Sequence, residues 1–223
     1  MKKGGLVFNL IILLVWGCQK QEVRLPLIPL AGMTEIQNHS SIWIFYKEQN
    51  TDTLAILNKN NKILNTHWIF NIDKRLKMKD VVPHLKTLQE DRNKDSMHKK
   101  EGMLNYFSYA DTALDQISLT PFYPVTFIEL TEVFEHKEDE SDPVCLVDVE
   151  ILNNALKVNE EIMDLTALKS VLEHLEGCDS LTEPVVRLKY HHNTQYQHYL
   201  ETKVFLSANS IPTLRQEYIF TIK

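Results

Sequence analysis

From Trp68 onward the chain runs one order of patterns twice, which restricts the folds open to it more than any other feature. Asp73-Lys74-Arg75-Leu76-Lys77-Met78-Lys79-Asp80 and Asn153-Asn154-Ala155-Leu156-Lys157-Val158-Asn159-Glu160 both read as strand, tight turn, strand. The Asn153-Asn154 pair suits a primed hairpin turn, because asparagine tolerates positive φ. A helix is expected after each: around Leu85-Lys86-Thr87-Leu88 in the first copy, opposite Leu168-Lys169-Ser170-Val171 in the second. In the second copy Leu165, Leu168, Leu172 and Leu175 share one helical face. Asp80 and Asp164 stand before these helices as N-caps, and Pro83 fits a first turn. Strands then follow at Leu104 to Tyr109 and Val185 to Tyr190, each leading into a helix start. Thr194 with Gln197 makes a capping box there, and Thr112 with Asp115 a weaker one. Closing strands are expected at Val125 to Leu130 and at Leu214 to Ile222, the latter with Leu214, Tyr218, Phe220 and Ile222 on one face.

Before the first copy, Ile42-Trp43-Ile44-Phe45-Tyr46 reads as a buried strand. Residues 53–64 fit either a helical face or two strands around Asn58-Lys59-Asn60-Asn61. Gln89 to Gly102 reads as an exposed excursion. The expected fold class is α+β: two small tandem units, each a sheet with two helices on one of its faces. The expected boundaries are 42–134 for the first unit, 135–143 for an acidic linker and 144–223 for the second unit.

The first 18 residues say where such a chain works. Lys2 and Lys3 precede an apolar run from Leu6 to Trp16, too short for a membrane span of roughly 20 residues. Val15-Trp16-Gly17-Cys18 resembles the lipobox of a bacterial lipoprotein signal. That resemblance implies that residues 1–17 are removed and that Cys18 is lipidated. The protein is then held to a membrane of the cell envelope, on its periplasmic side. Residues 18–41, broken by Pro26, Pro29 and Gly32, read as a tether. The formal net charge of −6 becomes more negative once Lys2 and Lys3 leave, which argues against nucleic acid. Membrane attachment then rests on the lipid. Cys145 and Cys178 remain, and either one disulfide or two thiols suits an oxidising compartment.

Residues 144–223 resemble the periplasmic domain of the ExbD/TolR family. The resemblance lies in Val147-Asp148-Val149-Glu150-Ile151, the Asn153-Asn154 turn, Leu156-Lys157-Val158-Asn159 and the helix around Leu168 to Leu175. It continues through Val185 to Tyr190, Tyr196, Tyr199-Leu200 and the closing strand. It implies a small sheet with two helices on one face, dimerisation, and partners among envelope proteins or the cell wall. A homodimer is therefore one expected assembly. Members of that family carry a transmembrane helix with an acidic residue. Here a leader without an acid stands in its place, so proton-driven work is not implied.

No residue set commits the chain to catalysis, a cofactor or a metal. His191, His192 and His198 form the densest histidine group, but zinc needs three or four converging ligands. Cys178 near His174 sits among Glu173, Glu176 and Asp179, which raise rather than lower a thiol pKa. Glu138, Asp139, Glu140 and Asp142 lack the spacing of a calcium loop. Only Gly32, Gly102 and Gly177 remain after the leader, too few for a phosphate-cradling loop or a nucleophile elbow. The aromatics Trp43, Trp68, Tyr106, Phe107 and Tyr109 fit core packing better than a ligand platform. The expected function is a non-enzymatic, lipid-anchored binding or scaffold protein. Its alternatives are a tethered hydrolase or metal enzyme using the His191/His192/His198 region, and a solute-binding lipoprotein.

Overall fold

A computed structural model describes residues 22–49, 52–94, 101–130, 145–174 and 183–221. Among these the chain forms two mixed six-stranded sheets and three helices. Its first half contains β1 (Leu27–Ile28), β2 (His39–Gln49), β3 (Asp52–Asn58), β4 (His67–Ile72), α1 (Met78–Asn93), β5 (Asn105–Asp111), β6 (Gln116–Phe122) and β7 (Thr126–Leu130). The second contains β8 (Leu146–Ile151), β9 (Leu156–Val158), β10 (Glu161–Met163), α2 (Leu165–Glu173), β11 (Val185–His191), α3 (Tyr196–Ala208) and β12 (Thr213–Phe220).

Parallel strands form the middle of each sheet. In the first, β2, β4 and β5 run parallel, with β3 antiparallel on β2 and β6 antiparallel on β5. In the second, β8, β11 and β12 run parallel, with the short β9–β10 hairpin beyond β8. The helices α1 and α3 are the crossovers of parallel pairs, as such connections require. Apolar residues therefore recur along the strands rather than strictly alternating: Trp68, Ile69, Phe70 and Ile72 are all buried in β4.

A single buried cluster runs through both sheets. The reason is α3, whose Tyr199 ring lies 6.5 Å from Phe107 of the first sheet and 5.3 Å from Tyr190 of the second. Tyr196, Tyr199, Leu200, Thr202, Val204 and Leu206 are all buried. This helix lacks the one-sided stripe of a surface helix because a sheet lies on either side of it. The expected arrangement, helices on one face of a separate sheet, does not describe α3.

Several local expectations are corrected. Residues 73–77 are the turn between β4 and α1, not a strand pair, and the Asp80 carboxylate accepts from the Thr53 hydroxyl instead of capping. Pro83 is the sixth residue of α1, beyond the first turn. Gln89 to Asn93 continue that helix, where the expected exposed excursion was to begin. Positive φ falls at Asn159 (48°) and Glu160 (69°), the two-residue turn joining β9 to β10, rather than at Asn153-Asn154. After Thr112 there is no helix but a tight turn into β6, held by Asp111 Oδ1 accepting from the Ala113 and Leu114 amides. Thr194 and Gln197 form no capping box; Gln197 instead donates to and accepts from the Leu27 backbone. Asp164 does cap α2, accepting from the Ala167 amide at 2.8 Å.

Two longer-range corrections matter more. The strand β7 is present where expected, yet it pairs with β12 and so completes the second sheet rather than the first. The residues expected as a tether are, from Arg24 on, a strap fixed to the body. The Arg24 amide donates to Asp73, Lys74 donates to the Arg24 carbonyl, and β1 pairs with β5. The strap then crosses the outer face of the first sheet, where Met33 bridges Leu119 and Ile36 packs on the cluster of Ile69, Tyr106 and Leu119. Gly32 is needed there, since a Cβ would lie 2.4 Å from the Tyr109 hydroxyl.

Candidate binding cleft

In sheets with parallel strands, ligand sites form beyond the carboxyl ends of the strands. The ends of β8 and β11 frame such a cleft, of about 360 Å³, lined by Glu150, Ile151, Leu152, Asn153, His191, Asn193, Thr194 and Phe220. Its floor is apolar through Ile151, Leu152 and Phe220, and its polar groups come from the turns that follow the strands. The His191 Nδ1 accepts from the Asn193 amide at 3.1 Å, which leaves Nε2 as the protonated nitrogen. That Nε2 is buried and has no hydrogen-bond partner among the described residues. Burial, and next the adjacent His192 ring, hold the His191 pKa below the ordinary imidazole value against an opposing pull from Glu150. The ring is neutral near pH 7 and presents a donor.

The three histidines do not converge. The rings of His191 and His192 lie 4.2 Å apart, with His192 Nδ1 3.2 Å from the Phe220 carbonyl oxygen. His198 opens into a neighbouring cleft of about 370 Å³ with Asp164, Thr166, Glu201 and Thr202. Burial lowers its pKa, and Glu201, whose carboxylate lies 3.9 Å away, opposes the shift. Among the described residues no three His, Cys, Asp or Glu side chains gather to hold a metal ion.

Cys145 is buried and disulfide-bonded. Cys18, Cys178 and the acidic residues Glu138 to Asp142 lie outside the described residues. Of the aromatics, Trp68, Phe107 and Tyr109 are core; Tyr106 packs under the strap, and Trp43 stacks on Phe45.

Among the buried charged side chains that escape the sequence reading are Glu217 and Arg92. Glu217, fully buried, accepts from the hydroxyls of Tyr190 and Tyr199 and from Lys203 Nζ at 2.8 Å. Both phenols are pushed well above their ordinary pKa, first by burial and then by this carboxylate. Strand β12 thus turns Glu217 and Ile219 toward the main core, while Tyr218, on the face that its apolar residues suggest, is buried on the other side near Arg187. Arg92 lies 3.7 Å over the Trp68 ring and donates to Asn105 Oδ1 and to the carbonyls of Leu64 and Thr66. Burial lowers its pKa to about 10. The signal that could have placed it is the helical spacing of Val81, Leu85, Leu88 and Arg92, which runs past Gln89.

No protein-family model, curated protein or solved structure matches the chain.

Proposed function

We propose that the chain is a lipid-anchored envelope protein that binds other envelope components and does no chemistry of its own. The observation that carries this reading is how soon after Cys18 the fold begins. The Arg24 backbone is already bonded to Asp73 and Lys74. Six residues span at most about 20 Å, so a lipid on Cys18 would hold the body against the bilayer rather than on a long leash. Incorporation of an alkyne fatty acid, lost in Cys18→Ser, is the expected result in a bacterial host. An unlabelled wild-type chain recovered free of membranes would sink the proposal.

The finer reading of the fold is two pseudo-equivalent units fused through one core. One constant offset relates His67 to Val185, Lys77 to Gln195 and Met78 to Tyr196, so β4, its turn and α1 match β11, its turn and α3. Ile42 pairs with Phe70 as Val149 pairs with Leu188, which matches hairpin β2–β3 to hairpin β8–β9. The matched turns exchange hydrogen bonds: Met78 N to Thr194 O at 2.9 Å, and Tyr196 N to Leu76 O at 2.8 Å. This equivalence replaces the alignment drawn from the sequence, which set residues 73–80 against 153–160. The ExbD/TolR-like assignment of the second unit stands as part of the proposal, resting on its sequence pattern.

A further inference from the structure

The same offset that relates the two units places Asp73 opposite His191. Around Asp73, the strand ends of the first sheet are occupied by the chain itself. There the strap is an extended segment: the Arg24 amide donates to Asp73 Oδ2 at 3.0 Å, and its carbonyl accepts from Lys74 at 2.8 Å. Farther along, the Pro26 and Ile28 carbonyls accept from the amides of Ala110 and Thr112. Around His191 the corresponding strand ends instead border the open cleft of about 360 Å³, lined in part by His191, whose Nε2 is buried and has no hydrogen-bond partner among the described residues. Glu150, on the adjoining strand, also lines the cleft and makes no ion pair among the described residues, its cross-strand neighbours Lys157 and Lys189 being paired with Glu160 and Asp148.

We propose that this cleft takes an extended segment of a partner polypeptide, one carbonyl of which accepts from His191 Nε2 while a basic side chain of the segment faces Glu150. The chemistry follows from what is left unmet. A buried donor without an acceptor is costly, and a peptide carbonyl meets it once the ring turns toward the cleft, at the expense of the bond from the Asn193 amide to Nδ1. Asn153 and Asn193 border the same cleft and offer amides to the remaining backbone groups. The apolar floor of Ile151, Leu152 and Phe220 suits the alternate side chains of an extended strand. The proposal rests on the envelope-binding reading for where the partner is met, not for how the cleft is built.

The test is a titration of the full chain in detergent micelles with a fluorescein-labelled peptide copying residues 24–33, read by anisotropy. This probe carries Arg24 and the extended, proline-bearing backbone that the first sheet already holds. Saturable binding is expected, weakened at least about tenfold by His191→Phe and also by Glu150→Gln. The Glu150 substitution leaves the core untouched and keeps the test valid if His191→Phe fails to fold. Absence of saturable binding, equal binding by both variants and wild type, or equal competition by N-methylacetamide with free arginine would each overturn the proposal. None of these readouts depends on lipid at Cys18, so failure here and failure of fatty-acid labelling are separate results.

Discussion

Arg92 and Glu217 show how single charged side chains hold this core together. Arg92 meets only neutral acceptors and a ring among the described residues, so its charge is accommodated rather than paired. Arg92→Met leaves the Leu64 and Thr66 carbonyls and Asn105 without donors, and a loss of about 2–4 kcal/mol is expected in urea unfolding; a loss under about 0.5 kcal/mol would refute it. Glu217→Ala strands Lys203 and two phenols, for an expected loss of about 3–5 kcal/mol, whereas the pair Glu217→Leu with Lys203→Met recovers the part due to the unpaired lysine. Titration adds a pH signature. His191 and His198 are held below the ordinary imidazole value chiefly by burial, so below about pH 6.5 the unfolded chain binds more protons than the folded one. Stability is therefore full above that pH and falls toward pH 5. Melting curves should show this decline, reduced in His198→Gln; a flat profile from pH 7 to 5 would contradict it. A second decline belongs below about pH 4, because Asp73 and Asp148 have lowered pKa values. In both, burial works against the shift and is outweighed by hydrogen bonds: from Arg75 and the Arg24 and Arg75 amides to Asp73, and from Arg187 and Lys189 to Asp148.

At the scale of elements, the β9–β10 turn offers a sharp check, because Glu160 occupies a left-handed conformation that glycine adopts without strain. Glu160→Gly is expected to stabilise by about 0.5–1 kcal/mol, and Asp164→Ala to destabilise by about 1 kcal/mol through loss of the α2 cap. Thermal melts of both read the signs directly. Elements whose pattern is local were legible: the strand around Ile42 to Tyr46, β8, β11, the apolar stripe of α2, and α3 as a helix. What was not legible depended on partners distant in sequence. Thr112 to Asp115 resemble a cap, yet Asp111 uses the same amides to close a hairpin. Gln197 resembles the far half of a capping box, yet Leu27 offers it a complete backbone pair. The cleft was half visible: His191 stands out as part of the densest histidine group, weighed for a metal and set aside, while its bond to the Asn193 amide and its place at the strand ends depend on the fold.

For the molecule as a whole, the shared core means that neither half is expected to stand alone. A fragment of residues 145–223 loses β7 from the edge of β12 and Phe107 from the side of Tyr196 and Tyr199. It is expected to bind ANS and to unfold without a cooperative transition. A monomeric fragment with a sharp melt would show the halves to be independent. The disulfide at Cys145 is expected to involve Cys178. A peptide map of unreduced protein checks this, and Cys178→Ala should lower the melting temperature if the bridge closes a loop of the unfolded chain.

The strap also sets an order of events. It is the first part of the body to be made, yet its acceptors and donors lie at Asp73, at Ala110 to Leu119, and at Gln197, close to the other end. Its docking is complete only once Gln197 has been made. Contacts this remote in sequence close slowly, so residues 24–36 should be the last to gain protection in pulsed hydrogen exchange during refolding. A newly made chain thus passes its early life with Ile28 and Leu30 uncovered, and the step that hides them also completes the molecule.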